Sequence, residues 1–166
     1  MKTSILKFII IMFALTANGT FSQWQPNVRL SDYPFSSRTG LHNARNVATD
    51  GNMVHVVWDD YRFGARSEVY YKRSTDKGLN WGDDTRLTDN IGSSMQANVA
   101  AANQIVHVVW RDSYEDNPDV YYKRSTDGGI SWGPEIKISS GAGSTRYPMV
   151  AVSGQVVHVV FDDDRH

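Results

Sequence analysis

The sequence predicts an all-β fold, a β-propeller built from repeated four-stranded blades, and three observations predict it. The chain repeats itself: MVHVVWDD at 53–60 returns as IVHVVWRD at 105–112 and as VVHVVFDD at 156–163, and EVYYKRSTD at 68–76 returns as DVYYKRSTD at 119–127. The step is about 51 residues, with His55, His107 and His158 separated by 52 and 51, and Trp81 and Trp132 by 51. Such a period lies with propeller blades rather than helical solenoids. Beyond the N-terminal leader no useful length of helical periodicity appears, and the repeated segments are rich in β-branched and aromatic residues.

The first 22 residues are set apart from the fold. Lys2 and Lys7 precede the apolar run 8–15, and small and polar residues follow. This is the order of a secretory signal peptide, with a mature start expected near Gln23. The run is too short to span a bilayer. The mature chain, 23–166, is therefore expected to be exported: secreted, periplasmic or at the cell surface. It contains no cysteine, so no disulfide partner, thiolate nucleophile or lipid-anchored cysteine is available.

The elements follow in order. WQPNVRLSD at 24–32 imitates the end of a repeat, with Trp24 standing where Trp81 and Trp132 stand, and so predicts a closing outer strand. A blade spans 44–90: an inner strand around NVA at 46–48, the strand 53–60, the strand 68–74, and a short outer strand in TRLTD at 85–89. In 53–60 both alternating sets of side chains are largely apolar, which predicts cover on both faces. A second blade spans 95–140 and ends in IKISS at 136–140. The third, 146–166, stops after its second strand. Two blades, half of another and a closing strand do not complete a ring, so the chain is expected to be the N-terminal portion of a longer propeller.

Between the third and fourth strands the chain writes STDKGLNW at 74–81 and STDGGISW at 125–132. The chemistry is that of a turn. Asp76 and Asp127 can accept downstream backbone amides, Gly78 and Gly129 suit a positive φ, Ser74 and Ser125 can tie the turn back, and Trp81 and Trp132 bury a ring beneath it. These segments match the Ser-x-Asp-x-Gly-x-x-Trp pattern at every fixed position, and the chain resembles the sialidase superfamily through this Asp box, or BNR repeat. The resemblance covers essentially all of the mature chain and implies a propeller of sialidase type. It implies structural Asp boxes lying away from the active-site mouth. For function it implies an exported protein acting on or recognising sialylated or other glycans, and non-catalytic propellers with the same boxes supply the alternative, a scaffold for protein or cell-surface binding.

Sialidases hold the substrate carboxylate with three arginines, attack with a Tyr–Glu pair and use an Asp as acid/base; guanidinium forks suit a carboxylate. The resemblance places Arg45, in RNV at 45–47, and Arg62, in DYR at 60–62, as candidates for that clamp. The third repeat offers similar RYP at 146–148 and DDR at 163–165, while the second has Gln96-Ala97-Asn98 and Arg111-Asp112-Ser113. Because a partial version recurs, structural pairing within each repeat is the competing reading of both arginines. The loop after Arg62 has no carboxylate before Glu68, whereas SYEDNPD at 113–119 has Glu115, Asp116 and Asp119. The Tyr–Glu pair belongs to blades not in this sequence, so residues 23–166 are expected to show no turnover.

Other features carry less. The three repeated histidines read as packing groups. The acidic clusters at 59–60 and 162–164 match no calcium loop, and no metal or cofactor is assigned. With 17 basic and 18 acidic residues, a net charge of −1 gives no surface for nucleic acid.

Overall fold

Residues 27–33, 36–39, 45–113, 118–140 and 143–164 are those that the computed structural model describes, and every regular element among them is a β-strand. Residues 1–22, expected above to be a signal peptide, Trp24, the acidic residues Glu115 and Asp116, and Arg165 lie outside them. The strands form three antiparallel sheets. The first contains β1 (Ser37–Arg38), β2 (Val47–Asp50), β3 (Met53–Asp60), β4 (Glu68–Ser74) and β5 (Thr85–Arg86). The second, four-stranded, runs β6 (Ser94–Ala102), β7 (Ile105–Asp112), β8 (Asp119–Ser125) and β9 (Ile136–Lys137). In the third, β10 (Thr145–Ser153) pairs with β11 (Val156–Asp163).

Register repeats with the sequence. Trp58 faces Tyr70 across β3 and β4, and Trp110 faces Tyr121 across β7 and β8. His55 and His107 stand opposite Arg73 and Arg124. The ion pair Arg86–Glu68 at 2.8 Å on the first sheet is matched by Lys137–Asp119 at 2.5 Å on the second. The outermost strands are shorter than expected, two residues each. The first sheet also starts earlier than residue 44, because β1 pairs with Asp59 and Asp60. Eight residues separate Arg38 from Val47 where three separate Met95 from Val99, so extra chain divides the first inner strand in two.

Strand alternation explains how the sheets stack. Val106, Val108 and Trp110 of the second sheet pack against Val57, Val69 and Tyr71 of the first, with Leu87 in the same cluster. On its other face, Ala100 and Val109 meet Val150 of the third sheet, with Val152, Val157 and Val159 alongside. The second sheet is thus covered on both sides. Strand β11 alternates between exposed and half-buried positions, with Val156 55% and Val160 57% exposed, because only one of its faces is covered.

Asn27–Asp32 form no ladder with a described strand. Their packing nevertheless copies that of the outer strands. Leu30 is buried against Val56, Trp58 and Tyr70, as Leu87 is against the second sheet. Lys72 Nζ donates to Leu30 O at 2.8 Å, and Lys123 Nζ donates to Leu87 O at 2.7 Å.

Two of the three repeated histidines are buried. His55 Nδ1 shares a 2.7 Å hydrogen bond with Tyr71 Oη, and His107 Nδ1 one of 2.8 Å with Tyr122 Oη, whereas His158 is exposed. Burial lowers the His55 pKa from 6.5 to about 4; Asp50 opposes the shift and Arg73 adds to it. Between those values the unfolded chain takes up a proton that the folded chain refuses, so acidification through this window costs stability. Asp59 acts in the opposite sense: burial raises its pKa from 3.8 to about 6, so the stability it adds at low pH is lost as pH rises through that range. In an Asp59→Asn background, the melting temperature is expected to fall from about pH 7 to about pH 4, and to fall less when His55→Gln is added. An equal fall in both proteins would remove His55 as its source.

Candidate functional site

The two ends of the stacked sheets differ in chemistry. One end carries the Ser-x-Asp-x-Gly-x-x-Trp turns. Ser74 Oγ accepts the N–H groups of Asp76 at 3.2 Å and Gly78 at 2.8 Å while donating to Asp76 Oδ1 at 2.7 Å. Ser125 repeats the pattern with Asp127 and Gly129 at 3.3, 2.8 and 2.7 Å. Asp76 Oδ1 accepts the Asn80 N–H at 2.8 Å, and Asp127 Oδ1 accepts that of Ser131 at 2.9 Å. These bonds hold both carboxyls below their ordinary pKa, the Asn80 backbone N–H contributing most to Asp76 and the Ser125 hydroxyl most to Asp127. Each carboxylate is committed to its own turn.

The second turn also joins neighbouring sheets. Tyr71, on β4 of the first sheet, meets Trp132 edge-on at 4.9 Å between ring centroids. Arg73 Nη1 donates to Gly128 O at 3.1 Å. Gly129 has φ +84°, and a Cβ built there would lie 1.9 Å from Tyr71 Oη. Glycine is therefore required twice at this position, by the backbone and by the incoming phenol.

At the opposite end lie the two candidate clamp arginines, and the structure does not use them alike. Arg45 is exposed just ahead of β2, and its backbone oxygen accepts the Val99 N–H at 2.9 Å. Arg62 is enclosed. Its Nε and Nη2 form a fork on Asp60 at 3.1 and 2.8 Å, Nη2 also reaches Asp84 at 2.7 Å, and the guanidinium lies 3.9 Å from the Tyr70 ring centroid. Burial opposes the charge, but the bonds to Asp60 and Asp84 outweigh it and hold the Arg62 pKa above its ordinary value. Asp84 in turn pairs with Lys72 at 2.9 Å. Arg62 is the centre of an internal charge network.

The junctions between sheets at this end show residues that repeat alignment missed. Each inner strand after the first has a bulge, with Gln96 at φ 59° and Tyr147 at φ 54°. At the first junction the buried Asp59 carboxylate accepts the N–H groups of Gln96 and Ala97 at 3.0 and 3.4 Å. At the second, the Tyr147 N–H is taken by Gln96 Oε1 at 3.0 Å. Ladder partners align Arg38–Asp59, Met95–Arg111 and Arg146–Asp162, so Arg111 occupies the place of Asp59 and Arg146 that of Arg38. The extra residues between Arg38 and Val47 conceal the second equivalence from sequence alignment. A longer gap between repeated segments was the available signal.

Compared with models of known protein families and with curated proteins, the chain matches none.

Proposed function

We propose that the three sheets are blades of an exported β-propeller of sialidase type, and that the strand-end face opposite the Asp boxes recognises glycans without hydrolysing them. The observation that carries this reading is the state of Arg62. The arginine that the resemblance would give to a carboxylate clamp already satisfies Asp60 and Asp84, so its charge is spent within the repeat. Repeat-matched register and stacking through Leu30, Leu87 and the boxed turns support the propeller itself. The signal-like leader supports export. The remaining alternative within the same architecture is a scaffold for a protein partner.

The test pairs a turnover assay with mapping of bound sugar. A fluorogenic sialoside should give no signal above buffer with the 166-residue chain. Titration with a panel of neutral and acidic oligosaccharides should saturate for at least one of them. Amide shifts should then cluster at the starts of β6 and β10 and the end of β7, leaving the boxed turns unmoved. Turnover would make the protein a glycosidase, and shifts confined to the boxed turns, or binding of no glycan, would overturn the recognition reading.

A further inference from the structure

We propose that Met95 is a site of reversible oxidation, at which the Arg111 guanidinium holds the oxygen of the methionine sulfoxide. The inference is independent of glycan recognition. Ladder register carries its first part. One cross-strand position reads Arg38–Asp59 in the first sheet, Met95–Arg111 in the second and Arg146–Asp162 in the third. Two of these pairs set a cation opposite a carboxylate. In the second sheet the cation stands on the other strand, and a thioether faces it where an acceptor is needed.

That guanidinium is poorly satisfied. Arg111 Nε is buried without a hydrogen-bond partner, and Nη1 donates to Met95 Sδ at 3.2 Å. A thioether is a weak acceptor, and a buried donor left unsatisfied costs free energy. Among the described residues no carboxylate forms an ion pair with Arg111, whereas Arg62 and Arg86 each have two. The contact also lies beside the bulge of β6, where register shifts between Met95 and Asn98 and the ladder is interrupted. A stronger bond here would pin that bulge.

Oxidation changes the acceptor. The bond from Nη1 occupies one sulfur lone pair, and the other attacks an oxygen of hydrogen peroxide. The O–O bond breaks, and the proton on the transferred oxygen passes to the departing hydroxide. The thioether is oxidised by two electrons to the sulfoxide, and the peroxide is reduced to water. In an apolar core this change disrupts packing. Beside Arg111 it supplies an oxygen acceptor, which the unbranched side chain can turn towards Nε or Nη1, and a bond from an ionised donor is a strong one. Met95 is half-buried, so a small peroxide reaches it from solvent. Met149 is the contrast: it is 44% exposed, and no described residue donates to its sulfur, so its oxide would gain only water.

The test uses the whole chain carrying Met53→Leu and Met149→Leu, in which Met95 is the sole methionine after residue 12. Treated with hydrogen peroxide and mapped by peptide mass spectrometry, it should gain one oxygen on Met95. The oxidised protein should melt about 2–4 °C above the untreated one, the shift that one added hydrogen bond gives a chain of this size. Methionine sulfoxide reductases should return it to the starting value. With Arg111→Gln added, oxidation should lower the melting temperature instead. Met95→Gln, which carries a carbonyl oxygen at similar reach, should melt above Met95→Leu without any oxidant, and this comparison serves if the Arg111 variant does not fold. Three results would each overturn the site. They are a Met95 left intact while Met149 of the parent chain is fully converted, a fall in melting temperature when Met95 beside Arg111 is oxidised or an equal rise without that arginine, and a Met95→Gln protein no more stable than Met95→Leu.

Discussion

Gly129→Ala is expected to destabilise the chain by about 2–5 kcal/mol. Two costs combine. An L-residue at φ +84° pays roughly 1–2 kcal/mol for its left-handed backbone. The new Cβ would also lie 1.9 Å from Tyr71 Oη, and relieving that overlap within a packed core costs about 1–3 kcal/mol more. The phenol has little room to retreat, because Tyr71 is 1% exposed and holds His55 at 2.7 Å. Gly51→Ala provides the comparison: its φ is +62°, but nothing lies within 4 Å of the added carbon, so only the backbone cost applies. Urea denaturation of the two variants should separate them clearly. Adding Tyr71→Leu to Gly129→Ala should relieve part of the overlap. Equal losses in the two glycine variants would show that Tyr71 does not constrain the turn.

Arg62→Ala is expected to cost about 3–5 kcal/mol, because it strands buried charge. The Asp60 side chain is fully buried and that of Asp84 is 7% exposed. Burial works against the Asp60 charge, and the bonds from Arg62 and Trp58 overcome it, lowering its pKa below the usual carboxylate value. Without the Arg62 guanidinium, Asp60 retains Trp58 Nε1 at 2.9 Å, Ser37 Oγ at 3.0 Å and the residue-62 backbone N–H at 2.9 Å, but no paired cation among the described residues. Protonation then becomes its cheapest response, so the variant should recover part of its lost stability on acidification. Arg45→Ala, at an exposed side chain with no ion pair among the described residues, should change stability by no more than about 0.5 kcal/mol. A fully stable Arg62→Ala protein would return that arginine to consideration as a ligand group.

Local rules made much of the sheet structure legible from the amino-acid sequence. In MVHVVWDD and its repeats both alternating faces are apolar, and β3 and β7 are covered on both sides. Ser74, Asp76 and Gly78 form their turn within five residues, so local chemistry suffices to read it. The end carrying Arg62 and the bulges was harder to read because its relations are remote. Arg62 and Asp84 are 22 positions apart, and Gln96 meets Asp59 across 37. The family resemblance brought Arg45 forward through RNV at 45–47, whereas ladder register makes Arg38 the counterpart of Arg146. Nor does a sequence show that a bulge leaves two amides in need of a carboxylate, or that a neighbouring sheet inserts a phenol over Gly129.

The insertion of Tyr71 over Gly129 has a consequence for cooperativity. In a linear array, stability divides into intrinsic terms for each unit and coupling terms between nearest neighbours. Here a side chain from one unit completes the turn of the next, with Tyr71 and Arg73 reaching Gly128, Gly129 and Trp132. Part of the stability therefore resides in the couplings. A single excised unit would keep the hydrogen bonds inside its own turn but lose the ring contact and the arginine bond that its neighbour supplies, so a pair of units should melt higher than either unit alone. Exchanging units between such arrays preserves folding only when donor and acceptor carry matched tyrosine and glycine positions.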